Sequence, residues 1–276
     1  MSRESALIKR EIAIIAIIVG LGGGLLGGWF IPSPLVGTRT PLLDIIITRD
    51  QFIVGTSADY PPFENKTYPG GVIVGFDIDL AQLIADEIGV PLEMVDIPFD
   101  SLIAACRAGT IDMIAAAMTY TEDRAESLAP SITYFNAARA VIALNDSGIT
   151  ITDISDVTSY TVGVQKGTVM YEELGPDGLG MTVGVELFLY DNANDLMVAL
   201  DTAAIQLAYV DEPVFHAWKT VYDIEILYDS GSDPLAMWTR HGEPELLYVM
   251  NKVIYESYMD ESIYDLINLW FGNVTI

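Results

Sequence analysis

Thr119, Thr121 and Arg124 are the residues of this sequence whose types and spacing most clearly indicate binding chemistry. They follow a mostly apolar run, residues 110–117, which is typical of a strand buried on both faces. Two acidic residues come directly after Thr121, which favours an N-cap and the first turn of a helix. The Arg124 guanidinium, the Thr119 hydroxyl and the unpaired N–H groups of that turn would then form a cradle for a carboxylate. Alternatively, Arg124 only forms ion pairs on a solvated helix with an acidic neighbour, Glu122, Asp123 or Glu126.

The segment GTSADYPPFE, residues 55–64, is a second candidate for ligand contact. A predicted strand ends at its first residue, and the chain then turns sharply through two prolines. The turn leaves polar and aromatic side chains near the carboxyl end of the strand: Ser57, Asp59, Tyr60 and Phe63. Ligands of open α/β sheets bind at that edge. The alternative is an ordinary proline turn in which Tyr60 covers the core.

Three further positions come directly after predicted strands. Phe99 follows strand 92–97, the sequence QKGT at 165–168 follows strand 160–164, and Asp211 follows strand 204–210. Each of these positions thus lies at the carboxyl end of a strand, where ligands of open α/β sheets bind. Phe99 either faces a ligand there or packs against the next helix.

The elements that position these residues alternate between strands and helices, which predicts an α/β protein with a parallel sheet covered on both faces. The first series has strands at 52–56, 72–76, 92–97 and 110–117, and helices at 77–89 and 100–107. Asp77 or Asp79 is predicted to cap the first of these helices. The second series has strands at 160–164, 183–189, 204–210 and 224–227, with helices between them. Two helices, 244–259 and 261–270, close the chain.

Two strands outside these series, Arg139–Leu144 and Leu235–Thr239, predict a double hinge between two lobes. Lobe 1 would comprise residues 42–138 and 235–276, and lobe 2 residues 139–234. A ligand would lie between the lobes.

Composition excludes several classes of function. The net charge is −26, from 39 acidic and 13 basic residues, and such a surface repels nucleic acid. One cysteine, Cys106, allows no internal disulfide. Two histidines far apart in the sequence indicate no metal site, and no glycine-rich phosphate loop follows a strand. We therefore expect neither a metal nor a cofactor.

The N-terminal region predicts contact with a membrane. Residues 12–31 carry no charge and are long enough to span a bilayer as a helix, and the basic flank in residues 1–11 places the N-terminus in the cytoplasm. Residues 32–41 form a proline-containing tether. A retained anchor is favoured over a cleaved signal because no A-x-A site follows the apolar run. The remainder would lie at the outer face of the cytoplasmic membrane, or be secreted or periplasmic after cleavage.

Five pieces, taken together, resemble the extracellular solute-binding proteins of polar amino acid ABC transporters, which have the two-lobed type II periplasmic-binding fold. They are VGTSADYPPFE, GFDIDLAQLIADEIG, FDSLIAACRAGTIDMIAAAMTYTEDR, VGVQKGT and AYVDEP, and the resemblance runs from about residue 42 to 272. It implies that a free L-amino acid binds between the lobes and is delivered to ABC permease subunits after hinge closure.

The resemblance also implies roles for individual residues. Arg124 and Thr119 hold the ligand α-carboxylate, with backbone N–H groups of Ala117, Met118 and Thr119 and with Thr168 from lobe 2. Asp211 accepts hydrogen bonds from the α-ammonium. The remaining contacts surround the ligand side chain: Tyr60, Phe99, Ser57 and Gln165.

Two positions depart from the family pattern. Family members that bind basic amino acids often carry an acid where Ser57 stands, so a neutral or polar ligand is favoured here. Position 117 is often Gly, and Ala117 narrows the pocket. The competing functions are a sensor ectodomain and an enzyme similar to cyclohexadienyl dehydratases, which would use Asp59, Glu64 or Glu212 as its acid or base.

Overall fold

The structure, a computed structural model, describes residues 40–66, 70–180 and 184–272. The predicted cytoplasmic segment, the membrane helix and the tether up to residue 39 lie outside these ranges. Within the ranges, no helix combines the length and apolar character needed to cross a bilayer.

The first of two five-stranded sheets belongs to lobe 1, and its strands are β1 (Phe52–Thr56), β5 (Leu92–Asp96), β6 (Met113–Ile114), β7 (Ala129–Pro130) and β13 (Trp238–Thr239). Their order in the sheet is β5-β1-β6-β13-β7. Strand β1 is parallel to β5 and β6, whereas β13 is antiparallel to β6 and β7. A separate small sheet comprises β2 (Asp59–Tyr60), β3 (Glu64–Lys66) and β4 (Ile73–Val74).

Six helices belong to this lobe, and all except the short helix that carries Arg124 bury apolar side chains. They are α1 (Leu42–Arg49), α2 (Phe76–Ile88), α3 (Leu102–Ala108), α4 (Glu122–Ser127), α8 (Pro244–Met259) and α9 (Ser262–Phe271). The end of α9 is held in the core, where the rings of Phe135 and Phe271 stack with centroids 4.8 Å apart.

The second sheet belongs to lobe 2, and its strands are β8 (Phe135–Leu144), β9 (Thr161–Gln165), β10 (Glu186–Tyr190), β11 (Leu207–Asp211) and β12 (Ile224–Leu235). Their order is β10-β9-β11-β8-β12. Strands β10 and β11 are parallel to β9, as predicted for a βα series, and β8 is antiparallel to β11. The helices of this lobe are α5 (Val169–Leu174), α6 (Ala193–Asp201) and α7 (Glu212–Trp218).

Strands β8 and β12 connect the two lobes and pair antiparallel, with Phe135 opposite Leu235 at the lobe 1 end. The first predicted hinge strand lies within β8. The prediction of one continuous strand over Leu235–Thr239 is wrong, because β12 ends at Leu235 and β13 begins only at Trp238. The strand predicted over 224–227 continues to Leu235 through Gly231 and Pro234, because β12 is an edge strand and shifts its register between Ser230 and Asp233, where such residues are tolerated.

Candidate functional site

A small cavity of about 20 Å³ lies between the two lobes. Nine of the ten predicted contact residues line it: Ser57, Tyr60, Phe99, Ala117, Thr119, Arg124, Gln165, Thr168 and Asp211. Met118 does not line it; its side chain is in the core, and its carbonyl accepts hydrogen bonds from Ala236 N and Trp238 Nε1. Asp59 and Glu64, which belong to the candidate segment 55–64, also line the cavity, and three residues that the sequence did not indicate complete the wall: Ala116, Val169 and Met170.

Arg124 reaches the cavity because Thr121 caps its helix. The Thr121 Oγ1 accepts a hydrogen bond from Arg124 N at 3.2 Å, as predicted. Arg124 is 4% exposed. Its Nη1 donates to the carbonyl of Thr119 at 2.7 Å and its Nη2 to that of Gly167 at 2.9 Å. The alternative of a solvated ion pair is therefore wrong, and the buried guanidinium is the cation of the cavity wall.

Ala117 lies at a sharp turn after β6, with φ at 45° in the left-handed region. Its N–H donates to Asp77 Oδ2 at 2.8 Å, and Tyr134 OH donates to the same oxygen at 2.7 Å. Asp77 therefore holds the turn under the cavity. The prediction that Asp77 or Asp79 caps α2 is wrong, because the N-cap is Gly75 and no side chain bonds there. The local sequence does not distinguish an aspartate that bonds to a distant backbone N–H, as Asp77 does, from an aspartate that caps its own helix.

Replacing Ala117 with Gly is expected to stabilise the protein. An L-residue in the left-handed region carries a cost of about 1–2 kcal/mol that glycine avoids, partly offset by the greater freedom of glycine in the unfolded chain. We expect the free energy of unfolding, measured by denaturant titration, to rise by about 0.5–1 kcal/mol. Ala116→Gly is the matched control, since Ala116 does not have a positive φ, and it should be destabilising. A loss of stability in Ala117→Gly would show that the turn is unstrained.

Lobe 2 presents Gln165, Thr168 and Asp211 at the ends of β9 and β11. Thr168 caps α5, its Oγ1 accepting from Tyr171 N at 3.3 Å and donating to the carbonyl of Gln165 at 2.8 Å. Asp211 is 4% exposed. All three side chains thus face lobe 1 from one edge of the sheet, as the positions after the strands predicted.

Hydrogen bonds join the lobes directly across the cavity. Tyr60 OH donates to Asp211 Oδ2 at 2.8 Å and accepts from Asp211 N at 2.9 Å. Asp59 Oδ2 accepts from Gln165 Nε2 at 3.2 Å and from Ala193 N at 2.5 Å. Together with the Arg124–Gly167 bond, these contacts describe a closed cleft. Ser57 contributes indirectly, because its Oγ donates to Asp59 Oδ1 at 2.9 Å.

Buried carboxyl groups dominate the electrostatics of the cavity. Burial raises the pKa of Asp59 to about 6 and that of Asp211 to about 7, although hydrogen bonds to each group oppose the shift. Burial raises the pKa of Glu64 well above its usual range, and the nearby carboxyls Asp77, Asp59 and Asp211 raise it further. Raised carboxyl pKa values make the folded state bind more protons than the unfolded state, so these groups reduce stability as pH rises through about 4 to 7.

Two buried carboxyl oxygens of this wall, Asp211 Oδ1 and Glu64 Oε2, have no hydrogen-bond partner among the described residues. Such oxygens are unfavourable unless a donor reaches them. The arrangement is chemically a receptor for cationic N–H groups. The third carboxyl group considered as a catalytic acid or base, Glu212, does not line the cavity and lies 3.1 Å from His216 Nε2 on α7.

Comparisons with known proteins agree with this geometry. Residues 52–273 match the model of the bacterial extracellular solute-binding proteins, family 3. The chain is 39% identical over 132 residues to the arginine-binding extracellular protein ArtP of Bacillus subtilis, covering 47% of this chain and 50% of that protein. It is 31% identical over 159 residues to the histidine-binding periplasmic protein of Salmonella typhimurium, covering 58% and 60%. The chain thus spans about half to three-fifths of the length of these relatives.

A solved structure covers more of the chain. A mutant of ArgBP from T. maritima superposes with a TM-score of 0.78 at 32% identity, covering 84% of this chain and 99% of that one. The two-lobed α/β architecture is therefore that of the solved amino acid-binding proteins.

Proposed function

Since this chain belongs to family 3 of the bacterial extracellular solute-binding proteins, we propose that it binds a free amino acid with a positively charged side chain. The observation that carries the proposal is the charge balance of the cavity. Three carboxyl groups, Asp59, Glu64 and Asp211, face one guanidinium, Arg124, in a wall that is almost fully buried. A cationic amino acid reduces this excess of negative charge, whereas a neutral zwitterion leaves it unchanged.

Arg124 and Asp211 would hold the two charged groups that all amino acids share. Arg124 would bind the α-carboxylate bidentately, exchanging its present bonds to the carbonyls of Thr119 and Gly167 for bonds to the ligand. The N-capped turn at Thr168 would supply further donors from lobe 2. The α-ammonium would donate to Asp211, whose Oδ1 has no partner among the described residues.

The ligand class proposed here differs from the one that Ser57 alone favoured. An acid is often found at that position in family members that bind basic amino acids, and this chain has none there. Asp59 and Glu64 nevertheless place two carboxyl groups in the same wall, so the cavity favours a cation although Ser57 is neutral. The arginine- and histidine-binding names of the two relatives support this choice.

Ligand binding would be coupled to closure of the lobes. Arg124 belongs to lobe 1 and Asp211 to lobe 2, so a ligand that contacts both stabilises the closed form more than the open one. Strands β8 and β12 would bend as the hinge, with lobe 2 comprising about residues 139–234. We propose that the closed complex delivers its ligand to an ABC permease at the outer face of the membrane. We propose a binding protein rather than an enzyme, because the two relatives are named for binding.

Thermal unfolding of the full-length chain against the twenty common L-amino acids tests this proposal. A ligand at about 100 times its Kd adds about 2.7 kcal/mol to the stability of the folded state, which shifts the midpoint of a chain this size by several degrees. We expect the largest shift with L-arginine, L-histidine or L-lysine. A shift with neutral amino acids alone would contradict the cationic ligand, and no shift with any of them would contradict amino acid binding.

A further inference from the structure

Glu64 is a buried acid for which the fold supplies no partner. It begins β3, is 1% exposed and lines the cavity between the lobes. Its Oε2 accepts no hydrogen bond from any described residue. The charged and titratable groups around it are carboxyls and phenols rather than cations: Asp59, Tyr60, Asp77, Tyr134 and Asp211. No contact within the fold accounts for a carboxyl group at this position.

The three cavity carboxyls differ in how well their oxygens are satisfied. Asp59 accepts three hydrogen bonds, from Ser57 Oγ, Gln165 Nε2 and Ala193 N, and both of its oxygens are occupied. Asp211 and Glu64 each keep one buried oxygen without a partner among the described residues. A cationic amino acid carries two positively charged groups, its α-ammonium and its side-chain end. The two free oxygens match the two cations in number.

We propose that Glu64 is a specificity-determining residue of this site, and that its carboxylate receives the positively charged end of the ligand side chain while Asp211 receives the α-ammonium. This inference rests on the proposed binding of a cationic amino acid. Asp59 then has a different role: its hydrogen bonds to Gln165 and Ala193 join lobe 1 to lobe 2 in the closed form.

The pairing is coupled to a proton. Burial raises the pKa of Glu64 well above its usual range, which favours the protonated carboxyl group in the free protein. A cation at Oε2 favours the ionised form. A proton that Glu64 holds in the free protein is therefore released to the buffer when the ligand binds, and the carboxylate and the ligand cation form the ion pair.

The experiment compares two ligands of nearly equal shape on the full-length chain. L-arginine and L-citrulline share their α-groups and differ in the charge at the end of the side chain. Isothermal titration calorimetry in buffers of different ionisation enthalpy gives both the affinity and the number of protons released. We expect Glu64→Gln to lower the affinity for arginine relative to citrulline by about tenfold or more and to leave citrulline binding within about threefold. We also expect it to abolish the extra proton that arginine releases.

The outcomes separate this inference from the proposed function. Equal losses for both ligands, or an unchanged arginine-to-citrulline ratio, would overturn the role of Glu64 while leaving amino acid binding in place. If the wild-type chain binds no cationic amino acid, the proposed function itself fails. Glu93→Gln, an exposed acid on β5, is the matched control and should leave the ratio unchanged. Because Gln is isosteric with Glu, a thermal midpoint near that of the wild type will show that the variant is folded.

Discussion

Arg124→Ala is expected to reduce amino acid affinity by two orders of magnitude or more. The guanidinium is 4% exposed and, among the described residues, is the cation that lines the cavity. Removing it leaves the ligand α-carboxylate in a buried site without a counter-charge, and losing one partner of a buried pair costs about 2–5 kcal/mol. Calorimetric titration with L-arginine measures the loss. Because the α-carboxylate is common to all amino acids, citrulline should lose affinity by a similar factor.

Arg107→Ala is the matched control for this experiment. Arg107 is exposed on α3, in the same lobe, and does not line the cavity. Its removal should leave affinity within about twofold, as expected for a solvated charge. Arginine binding by Arg124→Ala with wild-type affinity would contradict the α-carboxylate role of Arg124.

Asp211→Asn is expected to change affinity and stability in opposite directions. The amide cannot pair with the α-ammonium as a carboxylate does, so affinity for arginine should fall by about 100-fold. The free protein should become more stable at pH 8, because the buried carboxyl has its pKa raised to about 7 and its ionisation there disfavours folding. Thermal unfolding should show a midpoint raised by a few degrees at pH 8 and a smaller difference at pH 5.

The exposed aspartate Asp201 provides the comparison, since Asp201→Asn should alter neither affinity nor midpoint appreciably. A variant of Asp211 that is destabilised at pH 8 would show that its carboxylate stabilises the free fold. Retained affinity in that variant would exclude Asp211 as the ammonium contact.

The parts of the site that sequence predicted are those fixed by local rules. Thr121 caps α4, as the two acidic residues that follow it predicted. Arg124 and Asp211 each lie near the carboxyl end of a strand, Arg124 in lobe 1 and Asp211 in lobe 2, which is where ligands of α/β sheets bind. The alternation of strands and helices likewise predicted the two sheets, and the lone strand near residue 139 predicted one of the two crossings between lobes.

The parts that sequence did not predict depend on contacts between distant residues. Asp77 carries the signature of a helix cap, and only the packing of α2 against the Ala117 turn shows its hydrogen bond there. Glu64 Oε2 has no hydrogen-bond partner within the described residues, and no local sequence pattern indicates this. The sequence predicted this strand only over 224–227, whereas β12 continues to Leu235, because an edge strand with a register shift accommodates Pro234.

A crystal structure of the full-length chain grown with L-arginine would show directly which groups hold the ligand. We expect arginine between the lobes, with its α-carboxylate within hydrogen-bond distance of Arg124 and its α-ammonium on Asp211 Oδ1. The guanidinium of the ligand should lie against Glu64. Arginine bound elsewhere, or bound between the lobes with its ammonium away from Asp211, would contradict the proposed roles of these residues.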